Sequence, residues 1–208
     1  MSIVLYYHPY SRAANVVWML EEVQVPYELR YVDIQTGEQK RPEITALNRM
    51  GKLPILQDDS AVVTESAAIG VYLADRYALG SLAPALDDPN RGTYLRWSFF
   101  APSVIEPGAM AKAAGWNFRE GAAGFGNYDS MVSAIQSAIT EREFLLGDRF
   151  SMADVIFGGT LRYMLRFKML EPLPEFAKYV EQLELRPALQ RANTVNAKVI
   201  EERGLGRS

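Results

Sequence analysis

Ile3-Val4-Leu5-Tyr6-Tyr7-His8-Pro9-Tyr10-Ser11 sets the architecture of the first third of the chain. Its first five residues are apolar, β-branched or aromatic without alternation. That pattern reads as a short strand buried on both faces. His8-Pro9-Tyr10-Ser11 reads as a turn. Beyond it, Ala13, Val16, Val17, Leu20 and Val23 recur at helical spacing. Val25-Pro26 should end that helix, because a residue before proline avoids the helical region. Residues 27–34 then read as a second strand. Strand, helix and strand in this order imply parallel pairing with a right-handed crossover.

Working outward, residues 42–47 read as a short helix. Pro54-Ile55-Leu56-Gln57 and Ala61-Val62-Val63 read as strands joined by a hairpin at Asp58-Asp59-Ser60. Residues 65–77 form a helical pattern. The N-terminal part is therefore an α/β domain, with the order βαβ, short helix, ββα. Residues 79–88 contain Gly80, Ser81 and Pro84 and read as a linker. Strand signals then fade. Residues 90–115, 129–143, 152–168, 174–185 and 187–202 read as helices, the first kinked at Pro102 and Pro107. The domains expected are residues 1–78, and an all-helical region over 89–208. Gly147-Asp148-Arg149-Phe150-Ser151-Met152-Ala153-Asp154-Val155 starts a buried helix with a capping box made by Ser151 and Asp154.

Composition removes several chemistries. The 208 residues include no cysteine and a single histidine, His8. Disulfides, thiolate metal sites and a cysteine nucleophile are excluded, and His-based metal or triad sites are disfavoured. A net charge of -3 without a basic patch offers nothing to nucleic acid. The apolar run at residues 3–7 is too short for a signal or membrane segment, so a soluble, cytoplasmic protein is expected. If the chain does thiol chemistry, a ligand must bring the thiol.

Three motifs carry candidate chemistry. Pro54 opens a strand, and a cis bond there would present the Leu53 N–H and C=O to an extended peptide; an ordinary trans proline on an edge strand is the other reading. Thr64-Glu65-Ser66 sits at a helix N-terminus, where amides and dipole favour a carboxylate. Taken alone, Thr64 as a simple cap with Glu65 complementing the dipole is the more economical reading. Ser11 opens the first helix. Its hydroxyl can donate to a sulfur or can cap the helix. All three belong at one end of the inferred sheet, where a peptide thiol, backbone and carboxylate could meet them together.

The runs Leu5-Tyr6-Tyr7-His8-Pro9-Tyr10-Ser11, Asn48-Arg49-Met50-Gly51-Lys52-Leu53-Pro54-Ile55-Leu56 and Thr64-Glu65-Ser66-Ala67-Ala68-Ile69, with residues 147–155, resemble the cytosolic glutathione transferases. The likeness is nearest to bacterial, serine-type members similar to the theta and delta classes. It implies a thioredoxin-like domain followed by an all-helical domain, glutathione as co-substrate, no metal, and a homodimer. It implies that Ser11 activates the thiol, with Tyr6 as a second candidate. Leu53 and cis Pro54 would hold the cysteinyl backbone, Glu65 and Ser66 the γ-glutamyl group, and Gln39 and Lys52 the glycine end. An electrophile would lie between the domains against Tyr10, Phe100, Met110, Trp116 and Phe118, and Tyr72, Arg96 and Trp97 would be interface positions. Tyr10, Arg12 and Arg49 depart from the family pattern.

The implied chemistry is thiolate stabilisation. A free thiol with a pKa of about 8.5 is only about 3% ionised at pH 7. Lowering that pKa to about 6.5 makes roughly three quarters thiolate, a selective stabilisation of about 2.7 kcal/mol. The thiolate then attacks an electrophilic carbon. Reduction of a disulfide through two glutathione molecules, or a non-enzymatic scaffold on the same fold, are the other readings. The serine- and cysteine-rich motif of maleyl-type isomerases is missing.

Overall fold

The computed structural model describes residues 2–206. They form two compact units, residues 2–77 with 186–206 and residues 78–185.

The first unit is built on a four-stranded sheet of order β2-β1-β3-β4. Its strands are β1 (Ile3–Tyr7), β2 (Tyr27–Tyr31), β3 (Ile55–Asp58) and β4 (Ala61–Thr64). β1 pairs parallel to β2 and antiparallel to β3, and β3 pairs antiparallel to β4. With α1 (Ala13–Val23), α2 (Pro42–Thr45) and α3 (Ser66–Tyr77), this is the thioredoxin-like order expected. β1 is central and buried throughout, which explains its unbroken apolar run. Tyr6 joins Val4, Val32, Ile44 and Ile55 in a cluster on one face. Tyr7, its neighbour, must point the other way, and its hydroxyl donates to Asn196 Oδ1.

Among the boundaries that differ from the expected ones, two in the first unit have clear local reasons. β2 stops at Tyr31 rather than at residue 34. There Asp33 Oδ1 accepts the Gln35 and Thr36 amides at 2.9 and 3.3 Å and turns the chain. α1 stops at Val23, before the proline, because Gln24 adopts a left-handed conformation with its N–H on the Leu20 carbonyl.

The last helix, α9 (Pro187–Glu202), falls in the unit of the sheet, whereas the sequence reading places residues 89–208 together. α9 packs along α1. Arg186 pairs with Glu22 at 2.7 Å and Arg191 with Glu21 at 2.6 Å, so α1 and α9 meet through charges as well as apolar contact.

The second unit is helical: α4 (Arg91–Phe100), α5 (Glu106–Ala113), α6 (Tyr128–Ile139), α7 (Met152–Arg166) and α8 (Pro174–Glu184). Between α4 and α5 the chain makes a π-type turn over Ala101–Ile105. Pro102 has no N–H for the regular ladder, so the helix widens there in place of a simple kink. α7 is the buried centre. The Ser151–Asp154 capping box starts it, and Asp154 also accepts from the Leu145 amide at 2.8 Å and the Tyr179 hydroxyl at 2.7 Å. Trp97 and Tyr179 both pack edge-on to Phe157. A Cβ on Gly158 would lie 2.1 Å from Leu183 Cδ1, so glycine allows α8 to approach α7. No helix among the described residues is long and apolar enough to cross a membrane.

Candidate active site

The strand register gathers the three motifs. Tyr6 pairs with Ile55, and Ile55 with Thr64, forming one row across β1, β3 and β4. Just beyond that row lie the His8–Ser11 turn, Leu53-Pro54 and Glu65-Ser66. The Leu53–Pro54 bond is cis. Leu53 precedes the β1–β3 ladder, whose pairing at this end stops at Ile55, so its backbone groups lie outside the sheet pairing.

Ser11 sits at the entry to α1. Its Oγ donates to the His8 carbonyl at 2.8 Å and accepts the Ala13 amide at 3.1 Å. The hydroxyl is thus a local cap in the ligand-free chain. Its one proton must leave the His8 carbonyl before it can serve a thiolate, a rotation about a single side-chain bond.

Glu65 has a φ of +66°. For a side chain other than glycine this costs about 1–2 kcal/mol, and such cost tends to sit where function requires it. The Glu65 carbonyl accepts the Ile69 amide at 2.9 Å, so Glu65 caps α3 with its backbone while its exposed side chain is left for other work. The first amides of α3 have no partner within the helix. Ser66, half-buried, is the first residue of α3. An anion is the natural complement of this corner.

Gln39 lies in a short 3₁₀ turn, Glu38–Lys40. Its Nε2 donates to the Ile34 carbonyl at 3.4 Å, while its Oε1 is buried without a hydrogen-bond partner. That turn abuts the loop ahead of Pro54: a Cβ on Gly51, whose φ is +57°, would stand 2.8 Å from the Gln39 carbonyl oxygen. Lys52 is exposed in the same loop, and its carbonyl accepts from Asn48 Nδ2 at 3.0 Å. Gln39 and Lys52 therefore occupy neighbouring loops.

Tyr6 is placed differently from Ser11. Its hydroxyl accepts from Arg30 Nη1 at 3.0 Å and reaches Gln57 Oε1 at 3.5 Å, with the Arg30 guanidinium 5.1 Å from the ring centroid. It is a buried strand aromatic with its polar tip already used. Tyr10 is exposed, and its hydroxyl donates to the Leu205 carbonyl. In the second unit, Met110, Trp116 and Phe118 are exposed. Phe100 is half-buried and packs edge-on to Trp97 at 5.1 Å. Trp97 itself is buried within its own unit under Arg96, so its ring offers no surface to a partner. The Tyr72 hydroxyl is held by Asp58 at 2.9 Å.

Three features have little or no signal in the sequence. Asn196 fixes Tyr7 from α9. Arg203 lies 4.4 Å over the Tyr31 ring and Leu205 receives Tyr10, so the end of the chain returns to the His8–Ser11 turn. His8 is fully buried beneath that turn; its being the only histidine, next to a candidate catalytic serine, was the one available hint. Among the described residues, no group of three or more His, Asp or Glu could hold a metal ion.

Comparison with known proteins bears on family and fold. Residues 9–76 match the glutathione S-transferase N-terminal domain. The chain is 28% identical over 204 residues to glutathione S-transferase 2 of Schizosaccharomyces pombe, covering 89% of this chain and 85% of that one. It is 30% identical over 168 residues to glutathione S-transferase hmp2 of Hypomyces subiculosus, covering 74% and 79%. The crystal structure of the glutathione transferase URE2P6 from Phanerochaete chrysosporium in complex with oxidised glutathione superposes with a TM-score of 0.78 at 27% identity, covering 95% of this chain and 97% of that one.

Proposed function

The chain belongs to the glutathione S-transferase family, and from that premise we propose that it binds glutathione, stabilises its thiolate and directs it at a small, mostly apolar electrophile. The observation that carries this reading is the single row Tyr6–Ile55–Thr64. It brings a hydroxyl, an unpaired backbone edge and a helix N-terminus to one end of one sheet. These are the complements of a thiol, an extended peptide and a carboxylate.

In this reading Leu53, beside cis Pro54, pairs with the cysteinyl backbone as an added strand. The α3 amides and Ser66 take the γ-glutamyl carboxylate, and Glu65 its ammonium. Gln39 and Lys52 hold the glycine carboxylate. The donor that Gln39 would offer that carboxylate is its Nε2, held in the ligand-free chain only by a long contact of 3.4 Å to the Ile34 carbonyl. Ser11 Oγ turns from the His8 carbonyl to the sulfur, and the α1 N-terminus adds its dipole. Ser11 acts by donating a hydrogen bond, and the nucleophile is the glutathione sulfur. This assigns the chain to the serine-type division similar to the theta and delta classes. Tyr10, beside Ser11, supplies a contact to the electrophile.

We also assign the protein to the cytoplasm, where thiols stay reduced, and to a homodimer, checked by sedimentation. Turnover decides the activity. An aryl halide should be conjugated with glutathione, with a rate at least several-fold above that with a glutathione mixed disulfide. Binding of glutathione without either turnover would leave a scaffold on the same fold.

A further inference from the structure

We propose that His8 is the positioning residue of the thiol-activating turn. The inference rests on Ser11 as the activator.

His8 directly follows β1 and starts the turn. Its ring is fully buried. Three hydrogen bonds run from the turn back to this one residue. Nδ1 accepts the Tyr10 amide at 3.1 Å. The carbonyl accepts the Ser11 amide at 3.0 Å and the Ser11 hydroxyl at 2.8 Å. The side chain thus fixes the middle of the turn, and the backbone fixes its end.

The acceptor role of Nδ1 decides the tautomer. The neutral ring carries its proton on Nε2, and Nε2 is buried without a hydrogen-bond partner among the described residues. A buried unpaired N–H is costly, and a leucine of similar breadth would fill the space without it. What leucine cannot provide is an acceptor for the Tyr10 amide. The orphaned nitrogen marks a side chain kept for its other nitrogen.

The ring is held from several sides. Tyr10 and Tyr31 pack on it with centroids at 5.6 and 5.3 Å. Arg203 from the end of the chain covers Tyr31. Asp33, after β2, is the acidic group acting on the imidazole. When Ser11 Oγ swings to a thiolate, the Ser11 amide stays on the His8 carbonyl and the Tyr10 amide on Nδ1. Only the hydroxyl moves, so its destination is preset. Protonated His8 would set an N–H against the Tyr10 N–H and release the turn.

His8→Leu removes the acceptor. His8→Asn keeps one at the same reach, since an Asn side chain bonds the amide two residues on, and it does not titrate. In His8→Leu the bound-glutathione thiol pKa should rise, and kcat should fall by about tenfold to a hundredfold with little change in the glutathione KM. His8→Asn should restore both. Wild-type log kcat should steepen to a slope of about two at its acid end, where thiol and His8 both take protons, and stay near one in His8→Asn. A folded His8→Leu with an unchanged thiol pKa overturns the proposal. So does an acid limb of equal steepness in wild type and His8→Asn, which decides the matter even if His8→Leu does not fold. Ser11→Ala is measured alongside. If it leaves the thiol pKa unchanged, the reading of Ser11 fails and this inference falls with it; if Ser11→Ala raises the pKa and His8→Leu does not, only the role of His8 fails.

Discussion

The Tyr10 hydroxyl donates its hydrogen bond to the backbone carbonyl of Leu205, 195 residues further along the chain. The last turn after α9 is thereby tied to the turn that carries Ser11, and Arg203 on Tyr31 makes a second tie. Ending the chain at Arg203 removes the Leu205 carbonyl and frees Tyr10. Loss of one such bond is worth about 1 kcal/mol, so kcat/KM for the electrophile should change by about fivefold while the thiol pKa of bound glutathione holds. Tyr10→Phe should change kcat/KM similarly in the full chain and add little in the shortened one, as coupling requires. Additive effects would show that the two groups act separately.

Tyr6→Phe should leave the thiolate untouched. The hydroxyl it removes is engaged by Arg30 and Gln57 in a cluster that faces away from Tyr7. The expected result is a loss of about 1 kcal/mol in urea unfolding with an unchanged thiolate titration. A raised thiol pKa in this variant would return the activating role to Tyr6.

Much of this site was legible from the chain because its parts are local. Five apolar residues before a Pro-Tyr-Ser turn fix β1 and the place of Ser11. Proline after Lys52-Leu53 marks the start of β3, and Thr64-Glu65-Ser66 marks the entry to α3. The features that were not legible are long-range. Nothing around Asn196, Arg203 or Leu205 announces contact with Tyr7, Tyr31 or Tyr10. The pattern of α9 shows a helix with one apolar face but not which helix receives it, so its packing on α1 had no local signature. Local detail failed where a polar side chain overrode propensity: Asp33 cuts β2 short, although Val32 and Ile34 are good strand residues.

Glu65→Gly should separate stability from binding. The substitution relieves a left-handed backbone at an exposed position and should stabilise the fold by about 1 kcal/mol in thermal or urea unfolding. It also deletes the carboxylate assigned to the glutamyl ammonium, and glutathione binding should weaken by about tenfold or more. Unchanged affinity would remove Glu65 from the site. A less stable variant would mean that the backbone there is not strained.

Stability should fall on mild acidification through His8. Burial holds its pKa below the ordinary histidine value, with Asp33 opposing in part. Between an unfolded-state pKa of about 6.5 and the lower folded-state value, the unfolded chain binds a proton that the native chain does not. Stability therefore rises with pH across that window; the contribution is complete above it and is lost as pH falls through the folded value. Urea midpoints at pH 7.5 and pH 5 should differ more for wild type than for His8→Asn. Equal differences would show that His8 does not titrate in this window.

The central claim, that Ser11 at the head of α1 stabilises a glutathione thiolate, is tested most directly by the near-ultraviolet thiolate absorbance of bound glutathione, titrated with pH in wild type and in Ser11→Ala. The expected result is a wild-type thiol pKa well below that of free glutathione, moving back toward it in Ser11→Ala. A depressed pKa that is the same in both proteins would contradict the role of Ser11, and failure of glutathione to bind would contradict the function itself.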